Sequence, residues 1–181
     1  GTAKVGGDAT PLARPSGPME VGDAARYVME LVNRDRAAEG LEPVQWDEVA
    51  AAAATRHARD MAHLGFTGHW GSDGSVPEQR YTEARGVHMV QENAACFFGG
   101  KVRPVATAPG IAAAEREKIQ AAFMAEVPPN DGHRKNILKA SHNRLGVGLA
   151  QPRGRREICM AQEFVDAYGE YDALPEEGQR G

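Results

Sequence analysis

Five consecutive alanines, Ala50 to Ala54, lie between an aspartate and a glycine that read as the two ends of one helix. Asp47 has the side chain of an N-cap, Glu48 adds negative charge to the first turn, and Gly65 is a stop signal. Between them Ala50, Ala53, Ala54, His57, Met61 and Leu64 recur with the period of a helix and form its apolar face. A face built mostly of single methyl groups predicts close approach to a neighbouring layer.

The clearest strands lie near the other end of the chain. NRLGVGLAQ and REICMAQEFV, joined by a Pro-Arg-Gly turn, predict an antiparallel hairpin of mostly buried strands over 145–165. VHMVQENAACFF, residues 87–98, reads as extended. Further helices are expected from an Asp23 N-cap to Gly40, and from a Ser75/Glu78 capping box around Pro77 to near Gly86. Another should fill about 109–126, beginning after Thr107 and stopped by Pro128 and Pro129. Helical mass enough for both faces of a small, mostly antiparallel sheet implies an α+β fold, a three-layer α-β-α sandwich.

Residues 1–21 mix Gly, Pro, Ala and polar residues without a period and read as a flexible leader; 22–168 read as the domain and 169–181 as a tail. The net charge of -4 and pI near 5.9 argue against nucleic acid as a partner. The basic turn PRGRR (152–156) reads as a solvated hairpin tip. No stretch approaches the ~20 apolar residues of a transmembrane helix. Cys96 and Cys159 form no CxxC cluster; a disulfide between them and two buried thiols both fit the sequence.

Taken in order, LVNRDRAAEGLEPVQWDEVAAAAATRHARDMA, FTGHWGSDGSVPEQRYTEARG, QENAA, GHRKNIL, LGVGLA and AQEFV resemble bacterial members of the CAP superfamily, the SCP-like proteins related to cysteine-rich secretory, antigen 5 and pathogenesis-related 1 proteins. The resemblance spans roughly residues 24–166. It implies an α-β-α sandwich, a secreted, extracellular or periplasmic setting, and a cleft of two histidines and two glutamates able to hold a divalent metal. His69 resembles the first histidine, and Glu92 resembles the glutamate of the family's G-E-N, with Gln91 in place of the glycine. Glu126 resembles the second glutamate. Where eukaryotic relatives carry their other histidine this chain has Val147, and His133 of the G-H-R-x-N-I-L motif is the substitute.

The residues carry their own arguments. His69 stands on a glycine-rich loop that is able to fold over a cleft. Glu126 shares a helical face with Ile119, Ala122 and Phe123 at a helix C-terminus, where the dipole disfavours its charge, so it needs a partner. His69 and His133, with the two carboxylates, would suit Zn2+ or a similar divalent ion, the one cofactor the reading admits; without metal the same groups form a hydrogen-bonded cluster. His57 reads as a core histidine with one bonded nitrogen, and His63 as a residue placed favourably at a helix C-terminus. His88 and His142 have no partner readable from sequence. In HRKNIL, Arg134 and Asn136 read as ligands of loop backbone while Ile137 and Leu138 pack. The functional expectation is a secreted, non-catalytic binding module for a small ligand, lipid, envelope component or protein. The competing reading is a metal-dependent hydrolase, such as a peptidase, with Glu92 or Glu126 as general base.

Overall fold

The computed structural model of the chain describes residues 19–97 and 113–168. In chain order the elements are α1 (Val21–Ala38), β1 (Gln45–Trp46), α2 (Glu48–Leu64), α3 (Pro77–Glu83), β2 (Met89–Phe97), α4 (Ala113–Met124), α5 (Gly132–Ile137), β3 (Arg144–Ala150) and β4 (Ile158–Asp166). The sheet order is β1-β3-β4-β2. β3 and β4 form the expected antiparallel hairpin, β2 pairs antiparallel with β4, and β1 runs parallel to β3.

Alternation along β3 and β4 sorts the two faces. Leu145, Val147 and Leu149 of β3 and Ile158, Met160 and Phe164 of β4 pack against α1, α4 and α5. The opposite face, with Ala150, Cys159 and Val165, meets α2 and α3. The sheet therefore carries helices on both sides, as expected. Asp47 caps α2 through a bond from the Ala50 amide at 2.9 Å, and Gly65 ends it in the left-handed conformation that costs a side chain strain.

The alanines of α2 meet their counterpart in β3. A methyl group on Gly146 would overlap the backbone of Ala50 and Ala51, and one on Gly148 would overlap that of Ala54 and Thr55. Helix backbone thus rests on strand backbone, which is why neither partner carries bulk. Leu64, expected on this face, is instead 63% exposed, because the last turn of α2 leaves the packed layer at Gly65.

Other boundaries differ from expectation in small, explicable ways. α1 starts at Val21 with Glu20 in the cap position, so Asp23 serves the dipole from the first turn. Ser75 does not cap α3; Val76 holds that position, and the Ser75 hydroxyl instead accepts a bond from Arg80. α4 ends at Met124, and the part of its expected span before residue 113 lies outside the described residues. Ala122 is exposed while Ile119 and Phe123 are buried.

One arginine ties the α1 layer to the loop that leads into β3. Arg36 is fully buried in α1 and donates to the carbonyls of Glu42, Ile137, Lys139 and His142 at 2.8–3.1 Å. Burial lowers its pKa, and four oxygen acceptors replace the water it has lost.

Candidate functional site

The site grows from the outer strand, β2. Val90, Glu92, Ala94 and Cys96 share the face toward α2 and stand opposite Val165, Glu163, Ala161 and Cys159. The Glu92 carbonyl points away from β4, where it accepts a bond from Asn136 Nδ2 at 3.2 Å. Residues of this parity are thus non-hydrogen-bonded pairs, the type that brings side chains closest. At the Cys96–Cys159 pair the Cα atoms are 4.0 Å apart and the sulfurs form a disulfide, which resolves the alternatives left by the sequence.

The same register sets Glu92 against Glu163. The Glu92 side chain is 1% exposed and both its oxygens are held: Oε1 by His69 Nδ1 at 2.9 Å, Oε2 by Arg80 Nη2 at 2.9 Å. Arg80, itself buried, also donates to the carbonyls of Ser75 and His69 at 2.8 and 3.0 Å. The glycine-rich loop is therefore pinned twice, by the His69 ring and by its own carbonyl. His57, on α2, reaches the Gly68 carbonyl with Nε2 at 2.5 Å and lies 3.6 Å from Glu92 Oε1. It is the core histidine with one bonded nitrogen that the sequence implies.

Electrostatics divide these groups sharply. Burial keeps Glu163 protonated, its pKa well above the usual carboxylate range, and the neighbouring Glu92 adds to that rise. Neither of its oxygens has a hydrogen-bond partner among the described residues. Two carboxylates facing each other in a buried site disfavour double ionisation, and the rise falls on Glu163, which lacks the His69 and Arg80 partners of Glu92. Burial alone would also raise Glu92, but the protonated Glu163 carboxyl, the hydrogen bond from His69 and the charge of Arg80 overcome it and hold Glu92 below the usual range. The Glu92 hydrogen bond raises His69. Burial lowers His57 and keeps it neutral, so its approach to Glu92 is not an ion pair.

A second pair lies beyond the backbone of β2. Glu126, just past α4, accepts from His133 Nδ1 at 2.7 Å and from the Arg134 amide at 3.0 Å. The carboxylate expected to need a partner has two. These bonds lower its pKa against a contribution from burial that would raise it. The His133 ring stacks on Phe123 at 4.5 Å. Asn93, the residue after Glu92, turns to this side and donates to the His133 carbonyl at 3.0 Å. Asn136 closes the junction by donating to Asn93 Oδ1 at 2.8 Å. Asn136 of HRKNIL bonds backbone as expected, but at the Glu92 carbonyl of strand β2 rather than in a loop, and Ile137 is buried.

The candidate residues are thus brought together as two pairs, His69 with Glu92 and Glu126 with His133. Among the described residues no three His, Cys, Asp or Glu side chains are grouped closely enough to hold a metal ion. This donor set does not fit the metal centre the resemblance implies. Val147 is a buried core residue of β3.

Arg80 and Glu163 were not singled out by sequence reasoning. For Glu163 a signal exists: it sits inside CMAQEFV, a run whose neighbours are apolar enough to be wholly buried, so its carboxyl must be neutral or paired. Outside this site, His142 Nδ1 binds Asp166 at 2.6 Å, and His88 Nδ1 accepts from the Tyr168 amide at 3.3 Å. The arginines of the β3–β4 turn, Arg153, Arg155 and Arg156, are exposed as expected.

The profile described as CAP, the cysteine-rich secretory protein family, matches residues 29–164. An uncharacterized protein of Bacillus subtilis, YkwD, is 28% identical over 137 residues, covering 75% of this chain and 46% of its own length. The chain therefore spans about half of that relative. An extracellular protein containing a SCP domain from Bacillus anthracis superposes with a TM-score of 0.64 at 19% identity, over 84% of this chain and 45% of the other. An outer surface protein of Borrelia burgdorferi also gives a TM-score of 0.64, at 12% identity, over 83% of this chain and 98% of its own.

Proposed function

This chain belongs to the CAP family of cysteine-rich secretory proteins, and from that premise we propose that it acts outside the cytoplasm as a binding module rather than as a hydrolase. The observation that carries the reading is the state of Glu92: buried, with one oxygen held by His69 and the other by Arg80. A general base must present a free lone pair to water or substrate. Glu92 is 1% exposed, out of reach of water and substrate, with both oxygens engaged in fixing a loop, and burial favours the protonated form of Glu163 beside it. The loop so fixed displays Trp70, 70% exposed, next to the half-exposed His69. Rigid aromatic and imidazole groups on a braced loop are contact groups.

The setting has its own support. A disulfide belongs to an oxidising compartment, and two structural neighbours are described as extracellular and outer-surface proteins. No helix among the described residues is long and apolar enough to cross a membrane.

The test pairs two measurements on the intact chain. Fluorogenic peptide and ester libraries, with and without one equivalent of zinc, should give no turnover. Co-sedimentation with peptidoglycan, an envelope polysaccharide and phosphatidylglycerol vesicles should give saturable binding in at least one case, weakened by Trp70→Ala. Turnover abolished by Glu92→Gln or Glu126→Gln overturns the proposal, as does failure to bind in every case.

A further inference from the structure

A chain of four side-chain carboxamides runs from the site through the core to α1. Asn136 on α5 donates to Asn93 Oδ1 on β2 at 2.8 Å, and Asn93 Nδ2 donates to Gln162 Oε1 on β4 at 3.1 Å. Gln162 Nε2 donates to Gln120 Oε1 on α4 at 2.9 Å, and Gln120 Nε2 donates to Asp35 Oδ2 on α1 at 2.9 Å. Asn93, Gln162 and Gln120 are fully buried. The Asp35 side chain is 15% exposed, and its other oxygen accepts from Arg34. The chain thus joins the interior of the site to the rim of α1 that solvent reaches.

Every link points the same way, and both ends dictate the direction. A carboxamide presents an oxygen on one side and an NH2 on the other, so turning one over sets donor against donor at one link and acceptor against acceptor at the next. At the site end the NH2 groups of Asn136 and Asn93 also meet main-chain oxygens, of Glu92 at 3.2 Å and of His133 at 3.0 Å, which only accept. At the far end the Asp35 carboxylate only accepts as well. The second contact of Gln162 Nε2, to Met160 Sδ at 3.4 Å, involves a weak acceptor and does not compete. Buried chains of this kind polarise one another, so each link strengthens the next. We propose that Asp35 is a remote positioning residue of the site: its oxygen fixes the orientation of Gln120, Gln162 and Asn93 in turn, and through Asn93 and Asn136 the seats of the His133 and Glu92 main chains. The coupling concerns how the two histidine–glutamate pairs are held, and it stands whether or not the Trp70 surface binds a partner.

NMR of the intact chain tests this through the carboxamide signals of Asn93, Asn136, Gln120 and Gln162 and the imidazole signals of His133. Asp35→Leu keeps the bulk of the side chain and removes its oxygens. It should move all of these signals and speed hydrogen exchange of the Asn93 NH2 about tenfold, as for one weakened hydrogen bond. The backbone amides of Ala50 and Met61, in α2 on the opposite face of the sheet, should keep their wild-type positions. Asp35→Asn retains an oxygen for Gln120 while the partly exposed Arg34 turns to water, so it should leave the Asn93, Asn136 and His133 signals close to wild type. Gln120→Met cuts the chain one link further in and should reproduce the Asp35→Leu pattern at Asn93, Asn136 and His133; it decides the question if Asp35→Leu does not fold. The proposal is overturned if either variant folds and leaves the Asn93 and His133 signals unmoved, if Asp35→Asn moves them as far as Asp35→Leu, or if the Ala50 and Met61 amides shift along with them.

Discussion

Glu92 and Glu163 stand opposite each other on neighbouring strands, both buried, yet replacement by glutamine should affect them in opposite ways. Glutamine imitates a protonated glutamate. At Glu163 it therefore replaces like with like, whereas at Glu92 it removes the charge facing Arg80 and leaves a buried guanidinium without its counter-ion, a loss of about 3–5 kcal/mol. The pH dependence sharpens the contrast. An unfolded glutamate ionises near ~4.3, whereas Glu163 in the folded chain keeps its proton well above that. Between the two values the native state holds a proton the unfolded chain has lost, so stability falls as pH rises. The contribution is complete below the unfolded pKa, and declines by about 1.4 kcal/mol per pH unit until the folded-state group ionises. Glu163→Gln removes this dependence. The lowered Glu92 contributes in the other direction, and the raised His69 in the same one, but both are present in wild type and variant and cancel in their difference. Urea denaturation at pH 5, 6, 7 and 8 should show Glu163→Gln gaining on wild type by about 1.4 kcal/mol per unit while Glu163 keeps its proton. Parallel curves, or a loss at pH 5 as large as that of Glu92→Gln, would refute the assignment of the proton.

Three further outcomes follow from the packing and the covalent frame. Gly148→Ala drives a methyl into the backbone of α2 at Ala54 and Thr55 and should cost about 1–3 kcal/mol, read as a lower thermal midpoint with unchanged far-UV dichroism. Reduction of Cys96–Cys159, whose residues are 63 apart in sequence, should lower stability by ~4 kcal/mol in the chain-entropy account; equal denaturant midpoints for oxidised and reduced protein would count against it. Asp47→Ala leaves the Ala50 amide without its cap and should cost about 1 kcal/mol by chemical denaturation, with a loss under about 0.3 kcal/mol contradicting the capping role.

The parts of the fold legible in the sequence are those decided locally. Asp47 and Gly65 bound α2 because a cap and a left-handed glycine act within one turn, and the β3–β4 hairpin follows from strand pattern and turn chemistry. Glu126 announced its need for a partner through its position at the end of a helix. What stayed hidden depends on atoms far along the chain. Arg80 reads as one more solvated charge in EQRYTEARG until the loop carbonyls and Glu92 surround it. That competition also misleads the reading of Ser75, whose hydroxyl accepts from Arg80 instead of capping α3. His69 and Glu92 entered through family resemblance, since neither spacing nor period connects a loop histidine to a strand 23 residues later.

Arg36 holds its loop through main-chain oxygens alone, from Glu42, Ile137, Lys139 and His142. Every amino acid offers the same carbonyl, so the clamp is indifferent to which side chains occupy the segment and sensitive to how many residues it contains. Lys139, Ala140 and Ser141 are all exposed, and Lys139 and Ser141 make only surface side-chain bonds, to Gln91 and Asp166, so exchanging them leaves the clamp itself intact. Inserting or deleting one residue among them would move the oxygens out of register with a guanidinium that no water can reach. The segment is tolerant of substitution and intolerant of a change in length, the reverse of the usual rule for surface loops.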